Sequence, residues 1–429
     1  MKTIILPEKG DWESLCKRPS IRKSDLEEMV SDILKKVRSG KDKAVISYSE
    51  KFDGVKSVNL KVTPEEIRES ESLVPERIKH AINTARENIE KFHSAQLFSE
   101  PPVETSKGVR CWRKSVAIEK VGLYIPGGSA PLFSTVLMLG IPAKLAGCKE
   151  LIICSPPGKD GKINPLIIYT AQLIGIKDIF KTGGAQAIAA MAYGTESIPR
   201  VYKIFGPGNQ FVTKAKELVQ QEGVAIDMPA GPSEVLVISD NKADPAFIAA
   251  DLLSQAEHGT DSQVIYLTDS SEMIEMVKKQ IEDQLEKLPR KEIASGALGN
   301  SKIILLPSLD QCIGFSNVYA PEHLIINTID PGKLADKVIN AGSVFLGCYS
   351  CESAGDYASG TNHTLPTNGY ARNYSGVSTE SFLKKISFQE LTATGIMNLG
   401  PAIEIMAEAE LLNGHKNAVS LRLKSLKNG

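Results

Sequence analysis

The sequence has no block of one charge sign and no long hydrophobic run, and each absence excludes a class of protein. It contains 50 lysines and arginines against 51 aspartates and glutamates, so the basic surface expected of a nucleic-acid-binding protein is missing. A short apolar run at the N-terminus meets Pro7 and charged residues at once, which leaves no room for a signal peptide. No segment approaches the length of a membrane span. We therefore expect a soluble, globular protein that binds a small molecule.

Cysteine is also scarce. The chain has seven cysteines, an odd number spread widely, which fits reduced thiols in a cytoplasmic protein better than a disulfide framework. Cys348 and Cys351 have CxxC spacing, but no second pair follows. Packing or loop positions are therefore favoured over a redox or metal role, which needs additional partners.

The pattern of apolar residues predicts the fold class. A chain of 429 residues, 42% of them hydrophobic, is too long for one compact core. The first hundred residues show helical spacing, and from about residue 116 two successive series of short apolar runs alternate with helical segments. This βαβα order predicts parallel sheets covered by helices. We expect an α/β protein with two Rossmann-like parallel-sheet sandwich domains, a helical N-terminal segment and a small C-terminal helical tail domain.

Histidine is the least abundant of the residues that commonly carry chemistry. Four of the six histidines lie beside carboxylates or amides in short polar segments, at 254–263, 320–324, 352–363 and 408–415. Imidazole and carboxylate groups ligate metals and move protons near neutral pH. We therefore predict one composite site assembled from distant parts of the chain.

Two of these segments and the tail contain candidate metal ligands. Gln255 and His258 are three residues apart on a helix predicted to begin at Asp244, so they face the same way, as two ligands from one helical turn must. Asp356 and His415 would complete a nitrogen and oxygen set suited to Zn²⁺. The alternative stays open, because the helix macrodipole alone favours a histidine at a helix C-terminus and glutamine is an uncommon zinc ligand.

The segment APEHL places Glu322 next to His323 at the start of a probable strand. Neighbours on a strand point to opposite faces, but at the strand entrance both can reach one pocket and act as general bases for different protons. The alternative is an exposed charged pair in a loop.

Glycine-rich turns follow three strands of the first series, at 124–128, 182–187 and 205–209. Open α/β sheets bind ligands at the carboxyl ends of their strands, and glycines let backbone amides approach an anion. None of the turns is a GxGxxG fingerprint, so ordinary turns remain an alternative to nucleotide binding. The polar side chains best placed there are Tyr124, Gln186 and Asn209.

These segments together resemble the histidinol dehydrogenase family. Residues 226–259 look like the family signature, and GLYIPGG, GGAQAIAA, FGPGNQFV, APEHL and GDYASGTNHTLPT extend the resemblance over most of the chain. Ser239 departs from the alanine or cysteine usual in the family; it should lie in a strand. The resemblance implies an NAD-dependent enzyme that oxidises L-histidinol to L-histidinaldehyde and then to L-histidine, the last steps of histidine biosynthesis.

The resemblance also implies roles for single residues and an assembly. It implies zinc ligands at Gln255, His258, Asp356 and His415, catalytic bases at Glu322 and His323, and NAD contacts at Tyr124, Gln186 and Asn209. It implies substrate contacts at Ser233, His363 and Glu410, with His323 and the zinc ligands also facing the substrate. Family members are homodimers in which the tail completes the partner's site, so Glu410 and His415 would act across the interface.

The expected domain division follows from these roles. We expect an N-terminal arm (1–23), an α/β domain with the zinc and catalytic residues (24–115 with 234–375), an α/β domain with the NAD-binding loops (116–233) and a tail domain (376–429). Three alternative functions remain: a zinc hydrolase with Glu322 as base, a non-catalytic metabolite-binding protein and a dehydrogenase of another amino alcohol.

Overall fold

The computed structural model describes residues 1–19, 23–55, 59–127 and 131–428. Gly128, the last residue of the first predicted glycine-rich turn, lies outside the described residues. The described strands are, in chain order, β1 (Lys2–Ile5), β2 (Val103–Ser106), β3 (Val109–Ala117), β4 (Lys120–Tyr124), β5 (Glu150–Ser155), β6 (Asp178–Lys181), β7 (Lys203–Phe205), β8 (Ala225–Ile226), β9 (Glu234–Ser239), β10 (Gln263–Thr268), β11 (Lys302–Leu305), β12 (His323–Asn327), β13 (Ser343–Leu346) and β14 (Leu383–Leu391).

Helices connect most of these strands and form the C-terminal end of the chain. The described α-helices are α1 (Trp12–Leu15), α2 (Lys23–Asp53), α3 (Pro64–Leu73), α4 (Glu76–Ser94), α5 (Phe133–Ala146), α6 (Pro165–Leu173), α7 (Gly184–Tyr193), α8 (Gln210–Gln221), α9 (Pro245–Ala256), α10 (Ser271–Leu285), α11 (Lys291–Gly299), α12 (Leu309–Tyr319), α13 (Pro331–Ala335), α14 (Glu352–Tyr357), α15 (Ala393–Ala409) and α16 (Asn413–Asn428). Short 3₁₀ helices occupy Lys9–Asp11, Tyr370–Arg372 and Thr379–Phe382.

The first series of strands forms a five-stranded sheet in the order β6-β5-β4-β7-β8, with every described pairing parallel. The chain winds outward from β4 in one direction and then restarts at β7 on the other side. This is the doubly wound order of a Rossmann-like sheet. Helix α5 is buried along most of its length, which explains why its sequence is apolar on all sides.

The second series forms a six-stranded parallel sheet in the order β1-β11-β10-β9-β12-β13. Its central strands β9 and β10 are buried at every residue, because helices cover both faces of a parallel sheet and leave no polar side. Ser239 ends β9, as expected, and its hydroxyl lies 2.7 Å from that of Tyr266. The predicted pair of similar parallel-sheet sandwiches is confirmed.

Two strand regions differ from the sequence-based expectation. Residues 2–5 are not helical but form the edge strand β1, beside β11. A three-stranded antiparallel sheet, β14-β3-β2, also stands apart from the parallel sheets. In it β14 pairs with β3 over nine residues, from Leu383 opposite Ala117 to Leu391 opposite Val109.

The two chain ends are otherwise helical, as predicted. Helix α2 packs on α7 and α8, and it is broken at Lys41, where φ is 51° and ψ is −136°. Helices α15 and α16 pack on each other after β14. Among the described helices, none combines the length and apolar composition that crossing a bilayer requires.

Candidate active site

The predicted catalytic residues lie at the amino edge of the six-stranded sheet. Glu322 and His323 stand at the start of β12, beside Glu234 at the start of the neighbouring β9. Helix α9 connects β9 to the parallel strand β10. It therefore begins at the carboxyl edge of the sheet and ends at the amino edge, and its last turn, which carries Gln255, lies at the same edge as Glu322 and His323. The topology therefore brings together residues from three separate stretches of sequence.

The His323 ring is buried and contacted on both nitrogens. Its Nδ1 lies 2.9 Å from Nε2 of Gln255 and 3.1 Å from the carbonyl oxygen of Glu234. Its Nε2 lies 3.4 Å from Oδ1 of Asp356, but makes no hydrogen bond within the described residues. The ring is thus held through Nδ1, and Nε2 is left as the atom that can exchange a proton.

Glu322 is buried beside this ring. Its Oε2 accepts the backbone N–H of Glu234 at 2.8 Å and lies 3.6 Å from Nδ1 of His323. Burial raises the pKa of Glu322 to about 8, although the His323 charge and the Glu234 N–H favour the ionised form. A carboxyl group with a pKa near neutrality is suited to acid–base catalysis.

Carboxylates surround the His323 ring and dominate its protonation. Burial disfavours the charged ring, but the negative charge of Glu322 and the contact with Asp356 outweigh it and raise the pKa of His323 to about 10. Burial likewise disfavours the ionised form of Asp356, while the His323 ring holds the pKa of that carboxyl below its usual range. The His323 ring and the Asp356 carboxylate thus face each other at 3.4 Å, and each favours the charged form of the other.

A metal-type cluster lies next to the pair. Ligand atoms of His258, Glu352 and Asp356 all lie within 4.8 Å of one another. The side-chain oxygen of Gln255 is buried and has no hydrogen-bond partner among the described residues, which is unusual for a native protein. An imidazole, two carboxylates and an unpaired amide oxygen fit a borderline-soft divalent cation such as Zn²⁺.

His363 connects this cluster with the five-stranded sheet. Its Nδ1 lies 2.9 Å from the backbone oxygen of Asp356, and its Nε2 lies 3.1 Å from the hydroxyl of Thr135 near the start of α5. Burial lowers the pKa of His363, which favours a neutral ring. Ser233 directly precedes β9 and is half-buried, with its backbone oxygen bonded to the N–H of Gln263 at 3.2 Å.

The three predicted NAD contacts lie around the carboxyl edge of the five-stranded sheet. Tyr124 ends β4 and its hydroxyl accepts the N–H of Gly184 at 3.1 Å, so its own proton remains available to a ligand. Gln186 is buried in the first turn of α7. Asn209 precedes α8 and caps it, accepting the N–H groups of Phe211 and Val212, so only its amide nitrogen is left to donate.

Glu410 and His415 are not brought into the cluster by a single chain. Glu410 follows α15, and His415 lies in the first turn of α16. Both are exposed, and the metal-type cluster does not include His415. Cys348 and Cys351 are also exposed free thiols outside that cluster.

Sequence reasoning missed three residues at this site. Glu352 lies four residues before Asp356, and this helical spacing in an already suspected segment could have identified it. Glu234, whose backbone contacts both Glu322 and His323, begins a strand whose apolar residues drew attention to packing. Arg18 pairs with Glu234 across 216 residues of sequence, and no local pattern indicates such a contact.

Comparison with known proteins agrees with this arrangement. The family model described as histidinol dehydrogenase matches residues 16–423. The chain is 58% identical over 427 residues to histidinol dehydrogenase of Bacteroides thetaiotaomicron, covering 100% of both proteins. It is 52% identical over 428 residues to histidinol dehydrogenase of Salmonella typhimurium, covering 97% of this chain and 98% of the relative.

A solved structure shows the same fold. The crystal structure of histidinol dehydrogenase from Elizabethkingia anophelis superposes with a TM-score of 0.97 at 58% identity, covering 100% of this chain and 99% of that one. The sequence match and the superposition both extend over essentially the whole chain. We conclude that this chain belongs to the histidinol dehydrogenase family.

Proposed function

We propose that this chain catalyses the NAD-dependent oxidation of L-histidinol to L-histidinaldehyde and then to L-histidine. The observation that carries the proposal is the burial of Glu322 and His323 together, beside a metal-type cluster and close to the link with the five-stranded sheet. Oxidising an alcohol to an acid requires two hydride transfers with water added between them, so protons must be removed at two separate stages, and the site offers two adjacent groups that can accept them.

His323 is the proposed base of the first oxidation. In the neutral form of the ring, its Nε2 atom, which makes no hydrogen bond among the described residues, can take the hydroxyl proton of the alcohol. With Nε2 acting as the base, Nδ1 carries the hydrogen and donates it to the carbonyl oxygen of Glu234, and this contact orients the ring. A base held in this way loses little orientational freedom when substrate binds.

Glu322 is the proposed base of the second oxidation, which needs an activated water molecule. Its Oε2 is occupied by the Glu234 N–H, so its other oxygen is the atom that accepts a proton from water. Its raised pKa of about 8 lets it release that proton again in the same pH range. The aldehyde is reactive, and keeping it bound until this step protects it from side reactions.

The metal-type cluster is proposed to hold Zn²⁺ through Gln255, His258 and Asp356, with His415 supplied by a second copy of the chain. Zn²⁺ in that position would bind nitrogen atoms of the substrate and orient its reacting carbon. Ser233, His363 and Glu410 are the proposed further substrate contacts, and His323 and the proposed zinc ligands face the same pocket.

The proposed cofactor contacts are Tyr124, Gln186 and Asn209, at the edge of the five-stranded sheet where doubly wound proteins bind ligands. NAD⁺ in that position would accept the hydride in each oxidation. The proposed working form is a homodimer in the cytoplasm, with domains at 24–115 with 234–375, 116–233 and 376–429, preceded by an arm at 1–23. The free state of all seven cysteines agrees with a reducing compartment.

The first test is a measurement of stoichiometry. Zinc-loaded protein is incubated with L-histidinol and excess NAD⁺, while NADH is followed by absorbance and histidine by mass spectrometry. We expect two NADH for each histidine, and a His323→Ala variant processed in parallel should yield neither. No NADH from histidinol would overturn the proposed oxidation, and NADH formed from another amino alcohol but not from histidinol would mean that the substrate is that other alcohol.

A further inference from the structure

We propose that Arg18 is a positioning residue for the catalytic pair and that it acts through Glu234. This inference rests on the proposed function, because it assumes that Glu322 and His323 are the catalytic bases. Arg18 lies in the N-terminal segment, between β1 and α2. It touches neither base, so its effect depends on the contacts described below.

The first step of the argument is that Glu234 holds both bases through its main chain. Its N–H donates to Oε2 of Glu322 at 2.8 Å, and its carbonyl oxygen lies 3.1 Å from Nδ1 of His323. The two groups belong to one residue at the start of β9. A shift or rotation of this residue therefore moves the anchors of both catalytic side chains together.

The second step is that the side chain of Glu234 is fixed by Arg18. The guanidinium donates Nε–H to Oε1 at 2.5 Å and Nη2–H to Oε2 at 2.9 Å, with only 12% and 2% of the two side chains exposed. Oε1 also accepts the backbone N–H of Asn368 at 2.8 Å. A two-pronged pair of this kind defines orientation as well as distance.

The third step is that Arg18 also binds the segment leading to the bases. Its Nη2 donates to the carbonyl oxygen of Tyr319 at 2.8 Å, and its guanidinium lies 3.9 Å from the centre of the Tyr319 ring. The next residue, Ala320, has a left-handed backbone with φ of 54°, and Glu322 follows two residues later. The Arg18 side chain thus fixes both the start of β9, which contacts the two bases, and the turn at Ala320 that precedes them in the chain.

Removing the guanidinium would leave the Glu234 carboxylate buried without its counter-charge. A buried carboxylate without its partner lowers its free energy by moving toward water or by rearranging its neighbours. Either response displaces the backbone of Glu234. Displacements of about 1 Å in a catalytic group reduce rates on the order of 100-fold. Lysine cannot reproduce the planar fork or the stacking on Tyr319, so it should rescue only part of the loss.

The experiment compares Arg18→Gln and Arg18→Lys with a matched control, Arg38→Gln. Arg38 also pairs with a glutamate, Glu222, and lies over a tyrosine ring, but its side chain is 62% exposed. We expect Arg18→Gln to lower kcat of both oxidations by about 10- to 100-fold, with KM for histidinol and zinc content nearly unchanged. Arg18→Lys should fall between, and Arg38→Gln should match the unaltered protein.

A second readout does not depend on turnover. The ring nitrogen signals of His323, assigned in NMR spectra by their loss in His323→Ala, should shift in Arg18→Gln and stay in place in Arg38→Gln. If the signals shift while the unaltered protein does not oxidise histidinol, the positioning role stands and the proposed function fails. Folded Arg18→Gln with unshifted signals and normal kcat would overturn the positioning role. If Arg18→Gln and Arg18→Lys both lost their fold, their zinc and their activity together, the role of Arg18 would be structural and the positioning role would be overturned.

Discussion

At the scale of single residues, Glu322 and His323 are neighbours in sequence with different surroundings. The Glu322 carboxyl has one oxygen bound to a backbone N–H, and burial raises its pKa to about 8. The His323 ring lies among carboxylates and holds its proton more firmly. Two adjacent groups with separate proton affinities can serve two chemical steps, as in the proposed double oxidation.

Glu322→Gln tests that division. The amide keeps the shape and one acceptor oxygen but cannot take a proton from water, so aldehyde oxidation should fall by about 100-fold or more. Alcohol oxidation, which is assigned to His323 in the proposal, should fall only a few-fold. The two half-reactions are measured separately, starting from histidinol and from histidinaldehyde. An equal loss in both would contradict the assignment.

His258→Asn tests the metal-type cluster. Removing the imidazole from the group with Glu352 and Asp356 should abolish zinc retention, because structural and catalytic zinc sites rely on nitrogen and sulfur donors. Zinc is quantified after gel filtration in the presence of a mild chelator. The control is His80→Asn, an exposed histidine on α4, which should keep full zinc. Full occupancy in His258→Asn would remove this residue from the ligand set.

Asp251 provides a pH-dependent prediction about stability. Burial raises its pKa to about 7, and its carboxylate has no ion pair among the described residues. The folded protein therefore binds this proton more tightly than the unfolded chain does, so stability should fall as pH rises from about 4 to about 7.

Replacing this carboxyl by the amide in Asp251→Asn removes the titration. The free energy of unfolding of the variant, relative to the unaltered protein, should increase by roughly 2 kcal/mol between pH 5 and pH 8. Urea titrations at the two pH values give this difference. Asp283→Asn, at an exposed position on α10, serves as the control. A difference that does not change with pH would show that Asp251 is not buried in the way described.

At the scale of elements, the tail is attached through a close backbone contact. The carbonyl oxygen of Gly108, between β2 and β3, accepts the N–H of Thr392 at the start of α15 at 2.9 Å. A Cβ on Gly395 would lie 2.1 Å from the same oxygen. The hairpin and the first turn of α15 can approach this closely only because residue 395 has no side chain.

Gly395→Ala should therefore loosen the tail without unfolding the parallel sheets. The added methyl group must separate α15 from the hairpin, at a cost of about 1–3 kcal/mol. Amide hydrogen exchange should become faster in β14, α15 and α16, while β9 and β10 remain protected. Gly299→Ala is the control, because a Cβ there meets open space. Unchanged exchange in the tail would contradict the described contact.

The same elements show how far the sequence determined the fold and where pattern reading failed. Strands such as β9 and β10 are continuous apolar runs, and covered parallel strands are recognisable on that basis. Strand β14 is mostly exposed, β3 is at most half-buried along nearly all of its length, and both contain several charged residues, so no buried face marks them. Strand β1 has only four residues at a sheet edge. Its pairing with β11 depends on a segment about three hundred residues away.

Some residues of the candidate site were likewise predicted from the sequence, and others were not. Gln255, His258 and Asp356 could be proposed from their residue types. The prediction that Gln255 and His258 share one helix was wrong for His258, because α9 ends at Ala256. The structure nevertheless brings all three close to Glu322 and His323, and their roles stay predictions. Arg18 and Glu234 were not found, because a buried ion pair between distant segments leaves no periodic pattern. Sequence reasoning thus identified the side chains that can bind a metal or exchange a proton. The residues that hold them in place were found only in the three-dimensional structure.

At the scale of the whole molecule, the tail exposes a surface that a single chain leaves uncovered. Apolar side chains on and between α15 and α16 are exposed, including Ile405 at 68%, Met406 at 65% and Leu411 at 84%. Exposed apolar groups in one patch are typical of protein interfaces. Glu410 and His415 lie in the same part of the tail, so a second copy that covered this surface would also receive both side chains.

A mixing experiment tests whether sites are shared. His323→Ala and His415→Ala subunits, each inactive alone, are combined as verified heterodimers carrying two different tags. One of the two hybrid sites would then contain an intact His323 and an intact His415, so up to about half of the activity per dimer should return. The control is a dimer in which both chains carry His323→Ala and only the tags differ, and it should stay inactive. No recovery in the mixed heterodimer would place each site within one chain.

The contact between Arg18 and Glu234 also has a consequence for synthesis on the ribosome. The five-stranded sheet uses one continuous stretch of chain, from β4 to β8, and can fold while later residues are still being made. The amino edge of the six-stranded sheet instead needs Arg18, Glu234 and β12, and the metal-type cluster waits for α14 near residue 356. If the cluster holds zinc as proposed, a nascent chain would lack the complete site for most of its synthesis, and zinc would bind only to the nearly finished polypeptide.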